Sequence, residues 1–155
     1  MIERKECGAL FARAAEYVRD GWSQEAEARA APMPGEKQGP GIGPRNTSAK
    51  AWSINGALER AYAEICGNPF SPNDREIKLA EARRILAYNI LGEVGLRRVP
   101  RWTILGERLE PPENREPALH WLEEWNDDPS RTREGVIFAL LRASVSTHEE
   151  EGALL

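Results

Sequence analysis

The densest polar stretch of this chain is Trp125-Asn126-Asp127-Asp128-Pro129-Ser130-Arg131-Thr132. Arg131 offers a planar fork of donors suited to a carboxylate or a phosphate. Asn126 and Asp127, beside it, could converge with it on a ligand. His120 lies seven residues before Asp127, and its imidazole could act as a general base. Trp121 and Trp125 are four residues apart, so on a helix they form one ridge. The candidate binding residues are therefore His120, Trp121, Trp125, Asn126, Asp127 and Arg131. The same turn has a structural use. Asp127, Asp128 or Thr132 can cap the following helix, Arg131 can pair with a carboxylate, and Asn126 can bond nearby backbone.

Other chemistry is weakly encoded. No Gly-x-Ser-x-Gly or His-Glu-x-x-His occurs. Ser53 falls on an apolar helix pattern with no evident base, so no catalytic residue is assigned. His120, His148, Cys7 and Cys66 are too scattered for a zinc site. No second carboxylate-rich loop completes an oxygen shell beside Asp127 and Asp128. No metal and no cofactor are expected. Gly39-Pro40-Gly41-Ile42-Gly43-Pro44 lacks the Lys-Ser/Thr of a phosphate loop and has no strand pattern before it.

Helices must position these groups. Cys7, Leu10, Phe11, Ala14, Tyr17 and Val18 recur at spacings of three and four, which predicts a helix over about 2–20. Gly21 is expected to end it in a left-handed conformation, with Trp22 folding back. Pro32, Pro34, Gly35, Gly39, Pro40, Gly41, Gly43 and Pro44 predict a flexible loop over 32–46. Thr47 or Ser48 is expected to cap a second helix whose face runs from Trp52 through Leu58 to Ile65, ended by Gly67. Gly56 inside that helix implies a close helix crossing. Ser71-Pro72 opens a third helix, read as far as Gly92. Val99-Pro100-Arg101-Trp102-Thr103-Ile104-Leu105 reads as an ordered strap or an edge strand. Glu116-Pro117 opens a fourth helix, and Thr132 caps a fifth that carries Val136, Ile137, Leu140 and Leu141. The expected architecture is all-α, a single domain of about five helices over 1–147 with an acidic tail at 148–155.

Composition bounds the function. The chain has 155 residues, of which 41% are hydrophobic and 30% charged, with a net charge of −4. That is enough chain to bury a core without disulfides. The negative charge argues against a nucleic-acid backbone as main partner. No apolar run is long enough to span a membrane. The charged N-terminus has no apolar core of a signal sequence, so a cytoplasmic protein with two reduced cysteines is expected. Trp22, Trp52, Trp102, Trp121 and Trp125 are an unusually large set. They serve as core anchors or as a groove for a protein partner.

Gly21-Trp22-Ser23-Gln24, then Trp52-Ser53-Ile54-Asn55-Gly56-Ala57-Leu58, then Trp125-Asn126-Asp127 with Arg131-Thr132 and Val136, resemble domain-of-unknown-function family 6197. These are small bacterial and phage proteins, in which a Cys often stands where this chain has Ser53. The resemblance implies a single domain with a Trp-Asn-Asp turn before its terminal helix, and no assigned reaction. The leading expectation is a non-enzymatic protein-binding or regulatory protein, of which a phage counter-defence inhibitor is one form. The alternative is a small enzyme or ligand-binding domain using the Trp125–Thr132 turn. Convergence of His120, Asn126, Asp127 and Arg131 on one pocket would favour the alternative; their dispersal beside an exposed aromatic patch would favour the binder.

Overall fold

A computed structural model describes residues 4–30, 41–67, 72–98 and 117–153. Five helices are found among them: α1 Arg4–Asp20, α2 Ile54–Ile65, α3 Pro72–Arg98, α4 Pro117–Asp127 and α5 Arg133–Ala153. The apolar face of α1 is buried as its spacing requires, with Leu10, Phe11, Ala14 and Val18 wholly inaccessible. It meets Leu58, Ala61 and Tyr62 of α2, and Val136, Leu140 and Ala143 of α5, in one cluster. The α1–α5 contact is the most extensive. Small residues let these helices approach closely, and Ser144 Oγ donates to the Gly8 carbonyl at 2.9 Å.

The fold is mostly helical, but it is not all-α. Strands β1 (Ala28–Arg29), β2 (Gly41–Ile42) and β3 (Ala51–Trp52) form an antiparallel sheet in the order β2-β1-β3. Ala28 faces both Ile42 and Trp52 in register. Two-residue strands are too short to show alternation in a sequence. Ala28 and Trp52 are both buried in the main apolar cluster, and buried backbone must be paired.

The 32–46 expectation is therefore corrected where it can be seen. Gly41–Ile42 are strand, and the Pro44 carbonyl accepts from the buried Trp52 Nε1 at 3.1 Å. Residues 32–40 lie outside the described residues. So do Ser71 and the strap expected at 99–105.

Several helix ends also differ. Thr47 and Ser48 lie in a turn before β3, and the cap of α2 is Ser53, whose hydroxyl accepts from Gly56 N at 3.1 Å. Gly67 is left-handed, with φ of 67°, as a helix-ending glycine should be. Gly21 is not left-handed; its need is space, because a Cβ there would lie 2.1 Å from the Lys50 carbonyl oxygen. Helix α3 runs past Gly92 to Arg98, two residues before Pro100, which disfavours helix at Val99. Helix α5 extends into the acidic run as far as Ala153. Among the described residues, no helix is long and apolar enough to cross a membrane.

Both cysteines are free. Burial, then the charges of Glu81 and Glu6, push the Cys7 thiol up to about 12. Cys66 is only half-buried, though burial raises its pKa too. Thiolate is the reactive form. Iodoacetamide at pH 8 is therefore expected to add one group to the native protein, at Cys66, and the second only on unfolding. Intact mass reads this directly; simultaneous addition of both groups to the native chain would contradict the buried position of Cys7.

Candidate functional site

Asn126 is the centre of the Trp125–Thr132 turn, and it is inaccessible to solvent. Its Oδ1 accepts from Trp22 Nε1 and from the Ile54 backbone N–H, each at 3.0 Å. Its Nδ2 donates to the Ser23 carbonyl at 2.9 Å and to Asp127 Oδ1 at 3.0 Å. An amide side chain has two acceptor positions and two donors, and all four are used. Asn126 thus ties three distant segments together: residues 21–27, which form a strap after α1, the start of α2 and the end of α4.

The neighbouring residues complete this joint. Asp127 Oδ1 accepts from the Glu25 N–H at 2.8 Å. Glu25 has φ of 62°, a left-handed conformation that costs about 1–2 kcal/mol outside glycine. Asp127 holds the strap in that bend. Gln24 Nε2 donates to the carbonyls of Asn126 and Asp128, both at 3.0 Å. Arg131 Nε donates to the Trp125 carbonyl at 3.0 Å, and its guanidinium lies 3.9 Å from the Trp125 ring centre. These donors satisfy carbonyls that a helix end leaves open. Thr132 Oγ1 accepts from Gly135 N at 3.0 Å and caps α5 as expected. Ser130 donates from its hydroxyl and backbone to Asp128, holding that exposed carboxyl below its usual range.

Of the six candidate residues, Asn126 bonds Asp127 and Arg131 lies on Trp125, and no hydrogen bond or ion pair among the described residues joins His120 to them. Asn126 and Arg131 are occupied by backbone and ring contacts. His120 Nε2 sits 3.2 Å from Glu124 Oε1, one turn along α4. Trp121 and Trp125 are half-buried and pack against the core. Asp127 also lines a cavity of about 280 Å³ with Glu25, Ala26, Glu27, Ser53 and Glu123. Its carboxylates suit a cationic group rather than an anion. Ser53 is buried there, but its oxygen serves as the α2 cap, and no hydrogen bond joins it to His120 among the described residues. No group of three or more His, Cys, Asp or Glu among the described residues is placed to hold a metal.

Sequence reasoning missed Gln24, Glu25, Glu27 and Glu123. They lie on a strap and a helix whose meeting spans about a hundred residues of chain, and no spacing rule reports it. It also passed over a second polar cluster, between α1 and α2. There Arg13 grips Glu64 through Nε–Oε2 at 2.8 Å and Nη2–Oε1 at 3.0 Å, and Tyr17 OH donates to the same carboxylate at 2.6 Å. Arg13 bonds Glu16 as well. A depression of about 630 Å³ beside them is lined by Tyr17, Arg45, Arg60, Ala63 and Glu64.

Comparison with known proteins adds one finding. Residues 3–145 match the model of the Family of unknown function (DUF6197). No curated protein and no solved structure matches the chain.

Proposed function

The chain belongs to the family of unknown function DUF6197, and from that premise we propose that it is a small non-enzymatic protein-binding or regulatory protein. The observation that carries this is the outer face of α5. Phe138 is 65% exposed, Leu141 39% and Val145 56%. Spacings of three and four place them in one stripe. With Asn89 of α3, Arg142 and Ser146 they line a depression of about 540 Å³. Large apolar side chains clustered at a surface mark interaction sites. Arg142 is exposed and has no carboxylate within ion-pair distance among the described residues. The partner fitting this face is an amphipathic protein segment with an acidic residue beside its apolar anchors.

The competing reading, an enzyme or ligand-binding domain at the Trp125–Thr132 turn, needs Asn126, Asp127, Arg131 and His120 around one pocket. All four make other contacts, and that weighs for the binder. A regulatory role, including the counter-defence inhibition expected from the sequence, needs only occupancy of the partner.

The test is affinity capture with the wild-type chain and with Phe138→Asp/Val145→Asp. The reading expects a stoichiometric protein partner on the wild type, weakened by more than about tenfold in the variant, as for loss of apolar anchors. The melting temperature should be unchanged, since both side chains are exposed. A partner retained by the variant at full strength, or a wild-type chain that covers this face by dimerising, would overturn it.

A further inference from the structure

The depression between α1 and α2 is lined by Arg45 and Arg60 beside Tyr17 and Glu64. Its floor is the Tyr17 ring, which is 9% exposed and stands 4.9 Å from the Trp52 ring. Glu64 is its one lining carboxylate, and that charge is spent. Arg13 and then Tyr17 OH hold the Glu64 carboxyl below its usual range. Arg60 is different. Its guanidinium lies 5.8 Å from the Tyr17 ring centre, and Nη1 donates to the Arg45 carbonyl at 2.8 Å. That is one use of a five-donor group. Among the described residues, no carboxylate lies within ion-pair distance of it. Arg45 reaches Glu59 only through Nε, at 3.6 Å, a long contact. Two guanidiniums therefore rim the depression with donors to spare, in an otherwise acidic protein.

We propose that this depression is a binding site for a single oxyanion, a carboxylate or a phosphate group, held between the Arg45 and Arg60 guanidiniums at its rim. Guanidinium donors match both groups in shape and charge. The Tyr17 ring keeps the Arg60 plane in place, so little side-chain freedom is lost on binding. The Arg60–Arg45 carbonyl bond couples the two cations. Trp52 Nε1 bonded to the Pro44 carbonyl anchors the segment that carries Arg45. Two arginine cations suit one anionic group and not a polyanion backbone, which requires many. This site is separate from the α5 face and does not depend on it.

The arginine Nε–H signals of the full chain, observed by NMR, test the proposal. The probes are inorganic phosphate and a blocked Glu-containing dipeptide, each at constant ionic strength set with chloride. The Arg45 and Arg60 signals should shift and saturate with one of these probes, while Arg133, an exposed arginine paired with Glu134, stays still. Saturation by phosphate identifies a free phosphorylated ligand; saturation by the dipeptide identifies an acidic residue of a partner. Arg60→Gln and, separately, the exposed Arg45→Gln should each weaken binding by roughly tenfold, the loss expected for one charge-assisted hydrogen bond. Arg45→Gln keeps the test valid if Arg60→Gln fails to fold. Shifts that never saturate, shifts shared equally with Arg133, or variants that bind as well as the wild type would overturn it. So would binding only to a single-stranded oligonucleotide.

Discussion

Asn126→Ala is expected to lower stability by about 3–5 kcal/mol, because three buried groups lose a hydrogen-bond partner at once. Trp22 Nε1–H and the Ile54 N–H each lose an acceptor, and the Ser23 carbonyl loses a donor. Water does not reach the site, since Asn126 is fully buried. For a domain of this size the loss corresponds to a fall in melting temperature of roughly 10 °C or more. Asn126→Asp separates the hydrogen bonds from the packing. The shape is kept and the two acceptor bonds survive, but a carboxylate replaces the donor to Ser23 and faces Asp127. Burial and that neighbour raise its folded-state pKa above the ordinary value of about 3.9. A raised pKa means stability is retained below the ordinary value and lost as pH rises through the raised one. Urea unfolding of Asn126→Asp should therefore show its smallest deficit near pH 4 and its largest at neutral pH. An Asn126→Ala protein that melts within about 3 °C of wild type would show that the joint contributes little.

Gly56→Ala is the second large effect, and its sign is opposite to that of helix propensity. In an open helix this change gains about 1 kcal/mol. Here a Cβ would lie 1.8 Å from the Glu27 carbonyl oxygen and 2.7 Å from its carbon. Both atoms are backbone, so no side chain can swing away. The Glu27 carbonyl also accepts from Ser53 N at 2.9 Å, beside the α2 cap. Making room lifts the strap, breaks that bond and pulls on the β1–β3 pairing. The expected cost is at least about 3 kcal/mol, the upper range for overpacking a well-filled site. Gly43→Ala is the control. Nothing lies within 4 Å of its Cβ position, so it should be neutral or gain up to about 1 kcal/mol through the unfolded chain. Thermal melts of the two variants decide this. Equal behaviour of both would mean the strap yields to α2.

What the sequence by itself determined was set by repetition. The α1 face from Cys7 to Val18, the α2 positions from Ile54 to Tyr62 and the α5 positions Val136 and Leu140 recur every three or four residues and are buried. Trp52 at the start of the expected α2 face instead lies in β3, and Ile65 at its end and Leu141 of α5 are exposed. A pattern repeated over several turns outweighs local exceptions, so helix α3 could pass through Gly92 without changing the class. Thr132 was legible as a cap because its partner, Gly135, is three residues away. The polar joint was not legible in that way. Its residues were singled out, yet the partners of Asn126 are Trp22, Ser23 and Ile54, which lie between 72 and 104 residues away. Gly56 was read as a close approach, but the neighbour is a strap carbonyl and not a second helix. The two-residue strands, the Ser53 cap and the Arg45–Arg60 pair have the same origin. Each depends on where α1, α2 and α4 bring the chain in space. Local spacing sets which residues a helix buries; only the tertiary packing decides which buried donor meets which acceptor.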